Sequence, residues 1–365
     1  MAIPFVRVEA RGSYRELGRA VGEAAREQVR ASLEFFREGF DVMTRGALTF
    51  AEAERLGAGY AAHARRWLPH LVEELEGVAE GAAVPFTRLM VLNCGEEFTS
   101  AEPVAGNAPD AAPAGGDHCT AVAVAAGGRH VVGHNMDWYV VDAVNNVLFD
   151  FTVEDGTRIM GLAGAPYLLM LGMTSHGIAN VSTSVHSNDN RVGVPNAFVR
   201  RWSLEAPTLE AACERGLLAA RARGTNHFLA DASGRLWDLE TSATASAFSD
   251  HSGDGFMAHT NHYVMSGMAP FEGGAHEESR VRLSTAETLL AEGLARGEDP
   301  VELVVGVLRC HEPSPDQAIC GHPDETVASP ERVMTVGSMV CDLDERRLYV
   351  CAGPPCENPY QVVSM

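Results

Sequence analysis

A chain of 365 residues with 46% apolar side chains can fill one large domain or two ordinary ones, with ample core in either case. A formal charge of −21, from 49 acidic against 28 basic residues, argues against nucleic acid or an anionic membrane surface as partner, since both demand a basic patch. There is no apolar run of about eighteen residues and no basic-then-apolar leader in MAIPFVRVEARG, so the expected setting is cytoplasmic, with no membrane span and the eight cysteines kept as thiols.

The first hundred residues read as mainly helical. SYRELGRAVGEAAREQVRASLEFFREGF is apolar at helical intervals, with Ser13 as N-cap and Glu16 closing a capping box. TFAEAERLGAGYAAHARRWLPHLVEELEGVAEGA continues the pattern with a break near Pro69, and VPFTRLMVLNCGEEF opens a short helix or a strand. Residues 101–117, rich in Ala, Pro and Gly, form a linker.

From Cys119 the texture changes to short strand-like runs separated by Gly, Asn and Asp turns: AVAVAA, RHVVGHNMDW, NVLFDFTVEDGTRIM, GIANVSTSV, NHFLADASGRLWDLE and GFMAHTNHY. TLEAACERGLLAARARG and SRVRLSTAETLLAEGLARGEDPVELVVGVLRCH interrupt them as helices, and RVMTVGSMVCDLDERRLYVCAG closes the chain as a hairpin. This ordering points to an α+β fold with helices layered on antiparallel sheet.

Within CHEPSPDQAICGH, Cys310, His311, Cys320 and His322 are residue types that hold zinc. The paired Cys-x2-Cys spacing is missing and the Pro-rich interior reads as an ordinary connection, so neither metal nor cofactor is expected. The glycines of GLAGAP and GGRHVVG complete no dinucleotide or phosphate-binding pattern. His259 and His262 fall on opposite faces of an alternating strand and read as structural, while Trp138, Tyr139 and Phe149 pack or line a pocket.

Cys119, in GGDHCT, stands where the linker meets the first strand, an address that a buried core cysteine does not need. A thiol is mostly protonated at neutral pH, so a nucleophilic cysteine requires a base. Cutting the His118–Cys119 bond would release the residue's own α-amine, whose ordinary pKa of about 7.7–8.0 suits that task. Asp137 in GHNMDW would return across the hairpin to orient this amine, and Asn261 in HTNH offers an amide to stabilise an oxyanion.

Taken in order, GSYRELGRAVG, DHCTA, GHNMDW, HTNH and AGPPCENPY resemble acyl-coenzyme A:6-aminopenicillanic acid acyltransferase and its bacterial relatives, a cysteine branch of the N-terminal nucleophile hydrolases. The resemblance runs from Gly12 to about Tyr360 and implies a four-layer αββα sandwich. It implies self-cleavage into an α chain (1–118) and a catalytic β chain (119–365) that together form one domain. Carried over by position, Cys119 is the nucleophile, Asp137 the carboxylate for processing and amine positioning, and Asn261 the oxyanion donor. The implied activity is that of an amidohydrolase or acyltransferase acting through an acyl-Cys119 thioester on a small acyl amide or acyl-coenzyme A. The chain departs from the family pattern at His118, where a glycine precedes the nucleophile in the fungal enzyme, and at Ala318 and Gly321 in AICGH, which replace the Ser and Arg of a Ser-Ile-Cys-Arg segment. An uncut chain that binds an acylated small molecule without turnover is the alternative.

Overall fold

The computed structural model describes residues 5–99, 119–274 and 276–365. The linker and His118 lie outside them.

The amino-terminal part is one strand followed by helices: β1 (Val6–Arg11), α1 (Tyr14–Ala24), α2 (Arg26–Met43), α3 (Phe50–Trp67), α4 (Pro69–Ala82), α5 (Phe86–Leu92) and α6 (Gly95–Thr99). The capping box forms as the sequence requires: Glu16 accepts from the Ser13 backbone N–H at 2.8 Å, and its own N–H reaches Ser13 Oγ at 3.4 Å. The first long helical run breaks at Ala25 into α1 and α2, and the second at Leu68, with Pro69 opening α4. Helices α1 and α4 cross backbone to backbone. A Cβ on Gly18 would stand 1.8 Å from the Glu74 carbonyl oxygen and one on Gly77 2.2 Å from that of Arg15, so only glycine allows the crossing.

The remainder supplies β2 (Thr120–Ala126), β3 (Arg129–Tyr139), β4 (Asn146–Thr152), β5 (Arg158–Gly164), β6 (Gly172–Thr174), β7 (Ile178–Val181), α7 (Asn196–Leu204), α8 (Leu209–Gly216), β8 (Thr225–Asp231), β9 (Leu236–Thr241), β10 (Ser246–Asp250) and β11 (Phe256–His259). It ends with α9 (Glu277–Arg296), α10 (Pro300–Leu308), β12 (Val333–Asp342), β13 (Arg347–Ala352) and β14 (Gln361–Ser364). Two sheets result, in the orders β1-β4-β5-β6-β7-β8-β9-β10 and β11-β2-β3-β12-β13-β14. Among the described residues every pairing between these strands is antiparallel except β1 with β4.

Alternation along the strands sets the layers. In β2, Ala121 and Ala123 face inward and join Val132, Met339 and Val350 of their own sheet with Leu148, Met160, Leu162 and Phe228 of the other. Val122 and Val124 face outward against Leu290, Val304 and Val307 of α9 and α10. On the far side, Val147, Phe149, Phe151 and Ile159 pack against the amino-terminal helices, and Ile178 and Leu229 against α8. The architecture is the four-layer αββα sandwich, with both amino- and carboxyl-terminal parts contributing to its layers.

Candidate active site

Cys119 directly precedes β2, the strand held between β11 and β3. The β2–β3 register pairs Thr120 with Asn135, so one further step places Met136 opposite Cys119, with Asp137 next in line. The β2–β11 register pairs Ala121 with His259, and two further steps bring Asn261 across from Cys119. Three sequence-distant positions thus converge at one end of the smaller sheet because antiparallel register fixes their partners.

Cys119 is buried and lines a cleft between the sheets. Leu92, Met136, Trp138, Tyr167, Met170 and Val336 make much of its apolar wall. Val336 is the extra residue of a bulge in β12, between the Asp137–Thr335 and Met136–Gly337 pairs, which aims its side chain at the cleft.

Asp137 lines the same cleft and is buried. Burial pushes its carboxyl up to about 7, against the hydroxyl of Thr335, which donates to Oδ1 at 2.7 Å, and the nearby Arg282 guanidinium. The Thr335 hydroxyl in turn accepts the Gly321 N–H at 2.8 Å. A side chain at Gly321 would bring its Cβ 3.1 Å from Asp137 Oδ2, so any larger residue at this position would crowd the carboxyl.

Asn261 is buried but is not among the residues lining the cleft. Its Nδ2 donates to the Ser184 carbonyl at 3.0 Å, its Oδ1 accepts from Arg282 at 2.9 Å, and its backbone N–H donates to Ser279 Oγ at 2.7 Å. Ser184 does line the cleft and separates the Asn261 amide from it.

Several cleft residues were given no role by the sequence, including His134 inside GHNMDW. His134, on β3, donates Nε2–H to the Ser182 carbonyl at 3.0 Å, and burial pushes its pKa down to about 4, so the ring is neutral. Glu96 is paired with Arg200 at 2.6 Å and accepts from Ser184 Oγ at 2.7 Å and Asn196 Nδ2 at 2.9 Å. Glu97 accepts the Asn196 backbone N–H at 2.8 Å, with its carboxyl raised by burial to about 7. Asp142, raised by burial to about 6, takes hydrogen bonds from Ser32 at 2.7 Å and Tyr167 at 3.2 Å. The adjacent acids of GEEF are a signal that could have pointed to Glu96 and Glu97.

Asp238, Glu240 and His259 bring three possible metal donors within 4.8 Å, but His259 Nε2 already holds Glu240 at 2.9 Å and the Glu240 carboxylate accepts the Val264 and Met265 N–H groups at 2.6 and 3.0 Å. His262 shares a hydrogen bond of 2.7 Å with Ser279 Oγ. Both histidines are held by hydrogen bonds, and β11 ends at His259, so His262 lies beyond the strand expected to carry it. Trp138 lines the cleft, while Tyr139 and Phe149 belong to the core.

Among solved structures, penicillin V acylase from Agrobacterium tumefaciens is 15% identical with a TM-score of 0.45, over 68% of this chain and 86% of that one. A variant of conjugated bile acid hydrolase from Clostridium perfringens is 12% identical with a TM-score of 0.43, over 68% of this chain and 97% of that one. The 40 kDa form of acyl-coenzyme A:6-aminopenicillanic-acid-acyltransferase from Emericella nidulans is 22% identical over 262 residues, 72% of this chain and 70% of that protein. The sequence pattern of one family matches residues 124–355, well over half the chain, from within β2 to the segment after β13. The chain belongs to the acyl-coenzyme A:6-aminopenicillanic acid acyl-transferase family.

Proposed function

We propose that this acyltransferase-family enzyme is a self-processing cysteine amidohydrolase or acyltransferase, acting on a small N-acyl amine or acyl thioester through an acyl-Cys119 intermediate. The observation that carries the reading is the placement of Cys119 and Asp137 on the wall of one apolar cleft, with Cys119 at the head of β2. In the uncut chain the Cys119 nitrogen is an amide and cannot act as a base. Scission of the His118–Cys119 bond, with water supplying the new carboxyl oxygen, turns it into an amine beside Asp137.

In the cut enzyme that amine takes the thiol proton as sulfur attacks the acyl carbonyl. Collapse of the tetrahedral adduct breaks the bond to the leaving amine or thiol, which leaves with the same proton. Water or an amine acceptor then attacks the thioester, the α-amine again carries the proton, and Cys119 is released. Asn261 stabilises the oxyanion after exchanging the Ser184 carbonyl for the substrate oxygen. The apolar wall accommodates the acyl group, and the family's name supplies donor and acceptor classes, an acyl thioester and a small amine.

Intact-mass measurement tests the first step. The expected result is two polypeptides, 1–118 and 119–365, with Cys119→Ala remaining whole. An uncut wild type that still turns over substrate would defeat the proposal. A Cys119 inert to thiol labels and acylating esters would favour the non-catalytic binder.

A further inference from the structure

Away from the cleft, the connection between α10 and β12 meets the turn after β13. His311 Nε2 lies 3.1 Å from His322 Nε2, His322 Nε2 lies 3.2 Å from Cys356 Sγ, and Cys356 Sγ lies 3.5 Å from Cys320 Sγ. All four donor atoms fall within 4.8 Å of one another. We propose that His311, Cys320, His322 and Cys356 form a closed tetrahedral zinc site.

Zn–S bonds of about 2.3 Å and Zn–N bonds of about 2.0–2.1 Å give a tetrahedral S2N2 shell edges of about 3.3–3.8 Å. The three shortest separations come within a few tenths of an ångström of that range. The two imidazole nitrogens face each other beside two thiols, and as a hydrogen bond the contact requires one ring to supply the proton and the other the lone pair. The same atoms are an ordinary ligand set for zinc, and the softness and geometry of S2N2 select it over magnesium, calcium or manganese.

The surroundings fit ligation. His322 Nδ1 lies 3.5 Å from Glu357 Oε1, placing a carboxylate behind a ligating ring. Cys320 is buried and its N–H donates to the Cys310 carbonyl at 2.9 Å. Cys356 sits in a turn closed by the N–H groups of Glu357 and Asn358 on the Pro354 carbonyl, at 3.2 and 3.1 Å. Binding would deprotonate both thiols, release two protons and leave the site neutral. Four protein ligands leave no open position, so the site is structural and not hydrolytic.

The proposal runs against the sequence expectation of no metal, and its ligands differ in one residue from the Cys310, His311, Cys320 and His322 set considered there. Cys310, chain neighbour of His311, is outside the cluster and its Sγ takes the Glu312 N–H at 3.4 Å. The fourth ligand comes from Cys356.

The site also bears on the cleft. Gly321, between two ligands, is bound to Thr335 in both directions, N–H to Oγ1 at 2.8 Å and carbonyl to N–H at 3.0 Å, and Thr335 holds Asp137 at 2.7 Å. Zinc would pin the loop on which the Asp137 carboxyl rests, and only this last consequence relies on the function proposed for Asp137.

The test is metal analysis of untagged full-length protein, expressed in zinc-supplemented medium and dialysed against metal-free buffer. About one zinc per chain is expected in wild type, in Cys119→Ala and in Cys310→Ala, with a fall of at least about tenfold in Cys356→Ala and His311→Ala. Cobalt substitution should give the sulfur-to-metal charge-transfer and d–d absorption of a tetrahedral thiolate site, lost in Cys356→Ala. Zinc well below stoichiometry in wild type, zinc retained by both ligand variants, or a Cys320–Cys356 disulfide found by non-reducing peptide mapping would each overturn the proposal. Retention of zinc by Cys119→Ala separates this outcome from any failure of the proposed catalytic chemistry.

Discussion

The cleft and the His311–Cys356 cluster are assembled by different means. At the cleft, Cys119 and Asp137 line the wall with Asn261 behind Ser184, and all three lie on or just beyond three neighbouring strands, so two registers are enough to bring them to one end of the sheet. In the cluster, three residues from one long connection meet a fourth from a turn beyond β13, and no strand pairing specifies the encounter. Sheet neighbours follow from counting along hydrogen-bonded ladders. Loop neighbours follow only from the packed whole.

Variants can set the two regions apart. Cys119→Ala should lower turnover by at least about a thousandfold in a steady-state assay on N-acyl amines and acyl thioesters. Any substantial residual activity would move the chemistry off the strand-built site. Asn261→Ala should cost about 10²–10³ in kcat if its amide reaches the oxyanion. A loss confined to stability, measured by urea unfolding, would confine it to bracing Ser184.

Arg201 tests a third kind of contact, a buried ion pair outside the cleft lining. It is fully buried and pairs with Glu74 at 3.0 Å and Glu205 at 2.8 Å. Arg201→Met should destabilise the fold by about 3–5 kcal/mol, because it strands two carboxylates in the interior. Retained kcat in the folded fraction would show that its role is in folding and not in the chemistry.

Asp137 gives a pH signature. Its carboxyl is raised from the ordinary 3.8 to about 7, so between those values the folded chain keeps a proton that the unfolded chain has lost. Its contribution to stability is therefore complete below about pH 4 and is lost as pH rises through 7. Glu97 and Asp142 behave alike, so the difference between wild type and Asp137→Asn isolates this one group: the variant's stability should fall less steeply from pH 4 to 7 in urea titrations. The smallest effect is expected at Ser13→Ala, about 1 kcal/mol from the lost cap of α1, with no change in activity.

Much of the sandwich was readable because its helices carry caps and breaks and its strands alternate cleanly. Ser13, Pro69 and the Ala-Val alternation of β2 each mark their element. Reading failed where charge is buried. Helix α7 contains NAFVRRWSL, whose consecutive arginines hide an apolar face; they are inside because Glu96, Glu74 and Glu205 pair with them. The helix expected to run on to residue 224 stops at Gly216, since Arg221 and Arg223 turn inward to backbone carbonyls, Arg221 Nη2 to Ala245 at 2.7 Å and Arg223 Nη2 to Val185 at 2.8 Å. Strand β1 was missed because VRVEAR is half polar, an edge strand with one face on the core. In the cleft Cys119 and Asp137 were legible, but Glu96, Glu97 and Arg200 were not, since only tertiary packing gathers them, and His134 was passed over although it lies in GHNMDW.

That edge strand has a bearing on how a severed molecule would behave. β1 runs beside β4 through six paired residues, and the helices after it cover the outer face of the larger sheet. Cutting the backbone ahead of β2 would sever none of these attachments, so the two polypeptides would migrate together on a native gel and part only in denaturant, as an obligate heterodimer made from one gene product.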